Sequence, residues 1–160
     1  MLDQKREQAV WQRVMDLSAQ APACCKIAKT EAVTAEQIME LLCSELSDAA
    51  TYEALSCRVC GQARQMLLKL AMEERQHAGK LETVYYLMTG KKPCPDRPKR
   101  PCIACTTEEL RERYIQEVKG AERYKALAEK AGSFSKVFRE LACEEEHHAQ
   151  KVLTVLQSCL

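Results

Sequence analysis

Ala71-Met72-Glu73-Glu74-Arg75-Gln76-His77-Ala78 returns 71 residues later as Ala142-Cys143-Glu144-Glu145-Glu146-His147-His148-Ala149. Each copy lies in a long proline-free stretch and is flanked by apolar residues at helical spacing. Around the first stand Leu67, Leu70, Leu81, Val84 and Met88; around the second stand Phe138, Leu141, Val152 and Val155. Steps of three and four residues keep one helical face turned to the core. Glu74, His77, Glu145 and His148 are therefore expected on buried faces. The repeat extends backwards, because Glu45 and Tyr52 recur as Glu117 and Tyr124, 72 residues on. Their seams read Ile38, Leu41, Glu45, Asp48, Tyr52, Leu55 and Leu110, Tyr114, Glu117, Ala121, Tyr124, Ala128. Two copies of a helical pair make a duplicated hairpin, not a solenoid.

The periodicity predicts helices over about 35–59, 62–89, 107–131 and 135–156. Thr34 with Gln37, and Thr106 with Glu109, read as capping boxes, and Gly61, Gly90 and Gly132 read as stops. Short breaks at Gly61 and at Gly132-Ser133 make each pair an antiparallel hairpin. Residues 91–105, by contrast, hold four prolines and five basic residues. Fully extended they reach ~50 Å, more than the ~36 Å of a 24-residue helix, so they can run the length of the bundle. The expected fold is an all-α, ferritin-like four-helix bundle of two hairpins joined by a long crossover. A short amphipathic helix with Val10, Trp11, Val14 and Leu17 should precede it, giving an N-terminal helix and linker over 1–33 and the bundle over 34–160.

A chain of 160 residues suits one domain with a sizeable core. The net charge of +1 points neither to nucleic acid nor to an anionic membrane, so neither is an expected partner. No apolar run approaches the ~20 residues of a membrane helix, and residues 1–6 lead into no signal-peptide core. Ten cysteines are many, but several lie in helical patterns, which fits reduced thiols and a cytoplasmic location better than a secreted disulfide scaffold.

The polar interruptions of the four seams fall at one height once the hairpins fold. Carboxylates in an apolar core need compensating charge, and no lysine or arginine occupies the seams at that level. Two divalent cations would balance Glu45, Glu74, Glu117 and Glu145, with His77 and His148 neutral. Oxygen-rich ligation with one imidazole per metal suits iron or manganese. Glu-x-x-His puts both side chains on one face. Glu73, Glu144, Glu146 and His147 are expected as solvated neighbours.

This set, one glutamate from each of two helices and Glu-x-x-His from each of the others, is that of ferritin-like di-iron proteins. Within them the stretch 34–156 resembles the rubrerythrins. The resemblance implies two-electron reduction of hydrogen peroxide at a di-iron site, with dioxygen as a further oxidant. It also implies an external electron donor such as a rubredoxin-like protein, since no rubredoxin-like segment follows before Leu160. Rubrerythrins commonly carry one more carboxylate a turn beyond the third-helix glutamate, where this chain has Gly120. The equivalent position of the first hairpin is Asp48, which is either an extra ligand or an acceptor for a neighbouring group. Tyr52 and Tyr124 either orient ligating carboxylates or are core tyrosines. Cys57, Cys60, Cys102 and Cys105 should share one end of the bundle, as a zinc or single-iron site, as dithiols, or as unrelated packing residues. Iron storage or transfer with ferroxidase chemistry, and oxygen-activating hydroxylation, are the rival functions. A homodimer is the expected assembly.

Overall fold

The computed structural model describes residues 32–159. The expected N-terminal helix, and Cys24 and Cys25, lie outside them. Four long helices dominate: α1 (Ala35–Ser56), α2 (Gly61–Thr89), α3 (Thr106–Ala128) and α4 (Ser135–Ser158), with a 3-10 turn (Gly132–Phe134) leading into α4. No strand occurs among the described residues.

Local chemistry accounts for most of the boundaries. Thr34 accepts from the Gln37 N–H while the Gln37 side chain accepts from the Thr34 N–H, the capping box expected there. α2 stops at Gly90, whose φ of 70° suits glycine and whose N–H donates to the Tyr86 carbonyl at 2.7 Å. Three expectations fail. α3 ends at Ala128 rather than near residue 131, with the Lys130 N–H turned back onto the Leu127 carbonyl. α1 ends at Ser56 rather than near residue 59: the Cys57 N–H folds back onto the Ala54 and Leu55 carbonyls, and the left-handed Gly61 opens α2 instead of closing α1. At α3 the cap is Cys105 with no side-chain bond, and Thr106 lies inside the helix. Glu109 does not reach back to a cap. Its carboxylate lies 3.3 Å from Arg113 Nε, one turn ahead.

α1 packs along α2 and α3 along α4, and the hairpins meet chiefly through α2 and α4. Residues 91–105 form no helix or strand and pass the α1–α2 face, where Pro98 and Arg100 share a cavity with Glu53 and Arg75. The crossover thus brings α3 to begin at the end of the bundle where α1 finishes.

The apolar interior is divided in two. One cluster holds Ile38, Leu42, Leu81, Tyr124, Phe138 and Leu141; the other holds Tyr52, Leu55, Leu67, Leu70, Leu110 and Val152. Each buried leucine or phenylalanine contributes roughly 1.5–3 kcal/mol, so the two clusters hold the bundle closed on either side of what lies between them. Tyr114, expected inside, is 37% exposed. Arg113 takes the inward position between Leu110 and Glu117, with only 14% of its side chain exposed.

Gly79 and Gly90 make opposite predictions. A Cβ at Gly79 meets nothing within 4 Å, so Gly79→Ala should gain about 0.5–1 kcal/mol from helix propensity. Gly90→Ala forces a side chain into the left-handed region and should cost about 1–2 kcal/mol. Denaturant midpoints should move in opposite directions with unchanged slopes.

Candidate metal centre

Between the two apolar clusters lies a layer of ionisable groups. Glu45 comes from α1, Glu74 and His77 from α2, Glu117 from α3, and Glu145 and His148 from α4, and every one is buried. The Glu-x-x-His spacing on α2 and α4, the helices that meet across the bundle, puts two carboxylates and two imidazoles at the centre. One potential ligand atom from each of Glu74, His77, Glu145 and His148 falls within 4.8 Å of the others, and among the described residues no further such group of three or more forms. The imidazoles stack, 4.9 Å between ring centroids. Glu45 and Glu117 flank this core: Glu45 Oε2 is 3.2 Å from His77 Nδ1, and Glu117 Oε2 is 3.6 Å from His148 Nδ1.

The donor atoms converge and only partly satisfy one another: His77 Nδ1 is hydrogen-bonded to Glu45 Oε2, while Glu74 Oε1, Glu117 Oε2 and His148 Nδ1 have no partner. His77 Nδ1 has carboxylate oxygens of Glu145, Glu45 and Glu74 at 3.0–3.2 Å. His148 Nδ1 is 2.8 Å from Glu74 Oε1, yet neither atom is aligned for a hydrogen bond. Glu117 Oε2 is likewise buried without a partner. Buried orphan acceptors are costly, and lone pairs aimed at a shared interior point are what a cation requires. This buried Glu/His group could hold metal, and its four carboxylates and two imidazoles fit a di-iron ligand set.

The outer edges of both imidazoles are also held. His77 Nε2 is 3.0 Å from Glu144 Oε2, and His148 Nε2 is 3.2 Å from Glu73 Oε2. Lys80 donates to Glu144 at 2.5 Å and Lys151 to Glu73 at 2.6 Å. Glu73, 21% exposed, does not match the expectation of a solvated neighbour, and Glu144, though 44% exposed, does more than face solvent; each reaches across the bundle to the other hairpin's histidine. A carboxylate there fixes the ring and directs Nδ1 inward. The signal lay in the repeat: Glu73, Glu74, His77, Lys80 and Glu144, Glu145, His148, Lys151 all keep the 71-residue offset. Glu146, by contrast, is an exposed partner of Lys125, and His147 is exposed, as expected.

The tyrosines cross between the halves as well. Tyr52 donates to Glu117, and Tyr124 donates to Glu45. Burial and the neighbouring carboxylate raise both phenols well above their ordinary range, so they remain neutral donors. Asp48 lines a cavity between α1 and α3 and is ion-paired with Arg113, a cation that the seam reading missed because it preferred Tyr114. The four cysteines do not gather. Cys57 and Cys60 cap the α1–α2 turn, Cys57 Sγ lies 3.7 Å from Arg100, and Cys105 Sγ lies 3.4 Å from Thr107 Oγ1. All four, Cys102 included, are free thiols, and they do not join the one close group of potential metal ligands found among the described residues.

Without metal, protons do the balancing. Burial pushes Glu145 up to about 11, and burial likewise lifts Glu74 to about 7. Burial disfavours charged imidazoles, yet the surrounding carboxylates outweigh it and raise His77 to about 12 and His148 to about 9. Glu117 goes the other way: burial opposes its ionisation, but the positive charge of the neighbouring His148 and the Tyr52 hydroxyl that donates to it hold it low.

Two hairpins closed around a carboxylate–imidazole layer make a four-helix bundle whose ligand set fits the ferritin-like di-iron type. The Rubrerythrin family model matches residues 108–159, which cover α4 and nearly all of α3 with Glu117, Glu145 and His148. The chain is therefore rubrerythrin-like, and its first hairpin repeats the same motif. No curated protein and no solved structure gives a significant match.

Ligation by neutral imidazoles and ionised carboxylates must displace the protons held at pH 7 on His77, His148 and Glu145. Loading with a divalent metal should release about three protons per chain, and metal affinity should fall as the pH is lowered. Calorimetric titrations in buffers of different ionisation enthalpy measure the number. Separately, Tyr52→Phe strips a buried carboxylate oxygen of Glu117 of its donor and should cost ~1–3 kcal/mol in denaturant unfolding.

Proposed function

We propose that this protein is a di-iron peroxidase of the rubrerythrin type, reducing hydrogen peroxide with electrons from an external donor such as a rubredoxin-like protein. The observation that carries the proposal is the convergence of Glu74 Oε1, Glu117 Oε2 and His148 Nδ1, buried and unpartnered, within a layer of four carboxylates and two imidazoles. Glu45, Glu74, Glu117, Glu145, His77 and His148 are the ligands. Two ferrous ions held there supply the two electrons that, with two protons, convert hydrogen peroxide to two waters. Iron is preferred to a thiolate-seeking metal because no cysteine among the described residues joins the layer and its donors are oxygen and imidazole.

The chain's own groups do the rest. Four carboxylates offset two divalent charges, so the loaded centre is close to neutral in its apolar surroundings. Tyr52 and Tyr124 fix the flanking glutamates, and Glu73 and Glu144 fix the histidines, so the ligand positions are set before metal arrives. The cavity of about 290 Å³ between α1 and α3, lined by Glu45, Glu117 and Glu145, gives a small oxidant a way in. We place the protein in a reducing cytoplasm because the eight described cysteines are all unpaired thiols.

Anaerobic loading should give two irons per chain, and Glu74→Ala combined with Glu145→Ala should hold less than about one. Full occupancy in that double variant would place the metal elsewhere. Stopped-flow oxidation of the diferrous protein should be faster with hydrogen peroxide than with dioxygen at equal concentration. Faster reaction with dioxygen would replace the peroxidase with a ferroxidase or an oxygen-activating enzyme.

A further inference from the structure

The two halves of the layer correspond residue for residue until the faces that α1 and α3 turn to each other. One turn beyond Glu45 stands Asp48, but one turn beyond Glu117 stands Gly120. One turn before Glu117 stands Arg113, but one turn before Glu45 stands Leu41. All four line the same cavity as Glu45, Glu117 and Glu145. The six ligand candidates and their tyrosine and outer-glutamate supports keep the duplication, but these two pairs of positions break it.

The break has a definite geometry. Arg113 Nη1 donates to Asp48 Oδ1, and the other Asp48 oxygen is 3.5 Å from Ser44 Oγ. Both oxygens of Asp48 are thereby engaged away from the buried layer. Asp48 is nevertheless three residues from Glu45, the spacing at which neighbouring helical side chains reach a common point. On the opposite side of the cavity, a Cβ at Gly120 would sit 3.4 Å from Glu145 Oε2. The glycine thus leaves open the space that any side chain would occupy beside that carboxylate. At about 290 Å³ the cavity has room for several water-sized groups, each of roughly 30 Å³. Arg113, Lys119 and Arg123 in its lining offset part of the charge of its four carboxylates, which makes it more tolerant of an anion once metal is bound.

Resting on the di-iron reading above, we infer that Arg113 is a positioning residue that holds Asp48 out of the metal centre. The place kept free in this way, beside Gly120, receives a small anionic ligand. Removing Arg113 leaves a half-buried carboxylate without its cation, and a metal-loaded centre one turn away then offers it positive charge.

Azide serves as the probe on diferric protein, read by its absorption on titration, with iron content measured in every sample. The azide-free ferric spectrum provides a second readout. Affinity should fall from the unmodified protein through Gly120→Ala to Gly120→Met, by about tenfold in the last, as neutral bulk fills the pocket. Arg113→Met should weaken azide and also shift the azide-free bands, because a carboxylate has joined the iron. The band shift should vanish in Arg113→Met/Asp48→Asn. A purely electrostatic role for Arg113 would alter azide affinity without moving the azide-free bands, and that result overturns the positioning role. So does a shift that persists in the double variant. Azide affinity indifferent to both Gly120 substitutions overturns the pocket. Unmodified protein that takes up no iron would instead sink the di-iron reading, while leaving these outcomes distinct from it.

Discussion

Gathering four carboxylates at one level of an apolar bundle raises a charge problem that the rest of the molecule is arranged around. Each carboxylate loses its hydration, and each opposes the ionisation of the others. Free of metal, the chain meets this with protons: both histidines are held as imidazolium, and Glu145 stays protonated far above the ordinary range of a carboxyl. Two divalent cations can replace those protons at the same level. The layer is therefore a place of exchange between protons and metal, and the two leucine-rich clusters on either side keep solvent from diluting either form.

That layer is shared between the hairpins in a reciprocal way. The tyrosine of each half holds the glutamate of the other, and an outer glutamate of each half holds the other's histidine. Neither hairpin alone contains a complete set of ligands with their supports. Such exchange follows from the pseudo-twofold arrangement: a residue two turns along its own helix lies far from its neighbour in sequence but close to the equivalent neighbour in the facing half.

Much of this was legible in the sequence. Buried positions on α1, α2 and α4 follow steps of three and four residues, and the Glu-x-x-His copies announce themselves by repetition. Arg113 was not legible, because Leu110–Arg113–Glu117 and Leu110–Tyr114–Glu117 both obey helical spacing and hydrophobicity favours the tyrosine. An ion pair with Asp48, 65 residues away, reverses that preference, and periodicity within one helix cannot report it. Glu73 and Glu144 were missed for a related reason. They sit at the edge of the buried face, where exposure alone suggests solvent, and only the position of the facing helix reveals an imidazole within reach. The cysteines illustrate the converse: two Cys-x-x-Cys spacings at one end of a bundle satisfy a sequence pattern without bringing four sulfurs together.

The division into two local hairpins and one shared layer also governs how the fold comes apart. Contacts within a hairpin join nearby parts of the chain and form early, whereas the layer exists only after a long loop has closed and α2 has met α4. A cation bound by all four helices stabilises contacts that the folding transition state has not yet made. Its effect then falls on the rate of opening and leaves the rate of closing nearly untouched. Persistence, measured in time rather than in equilibrium stability, is what a four-helix ligand set confers on a bundle of this construction.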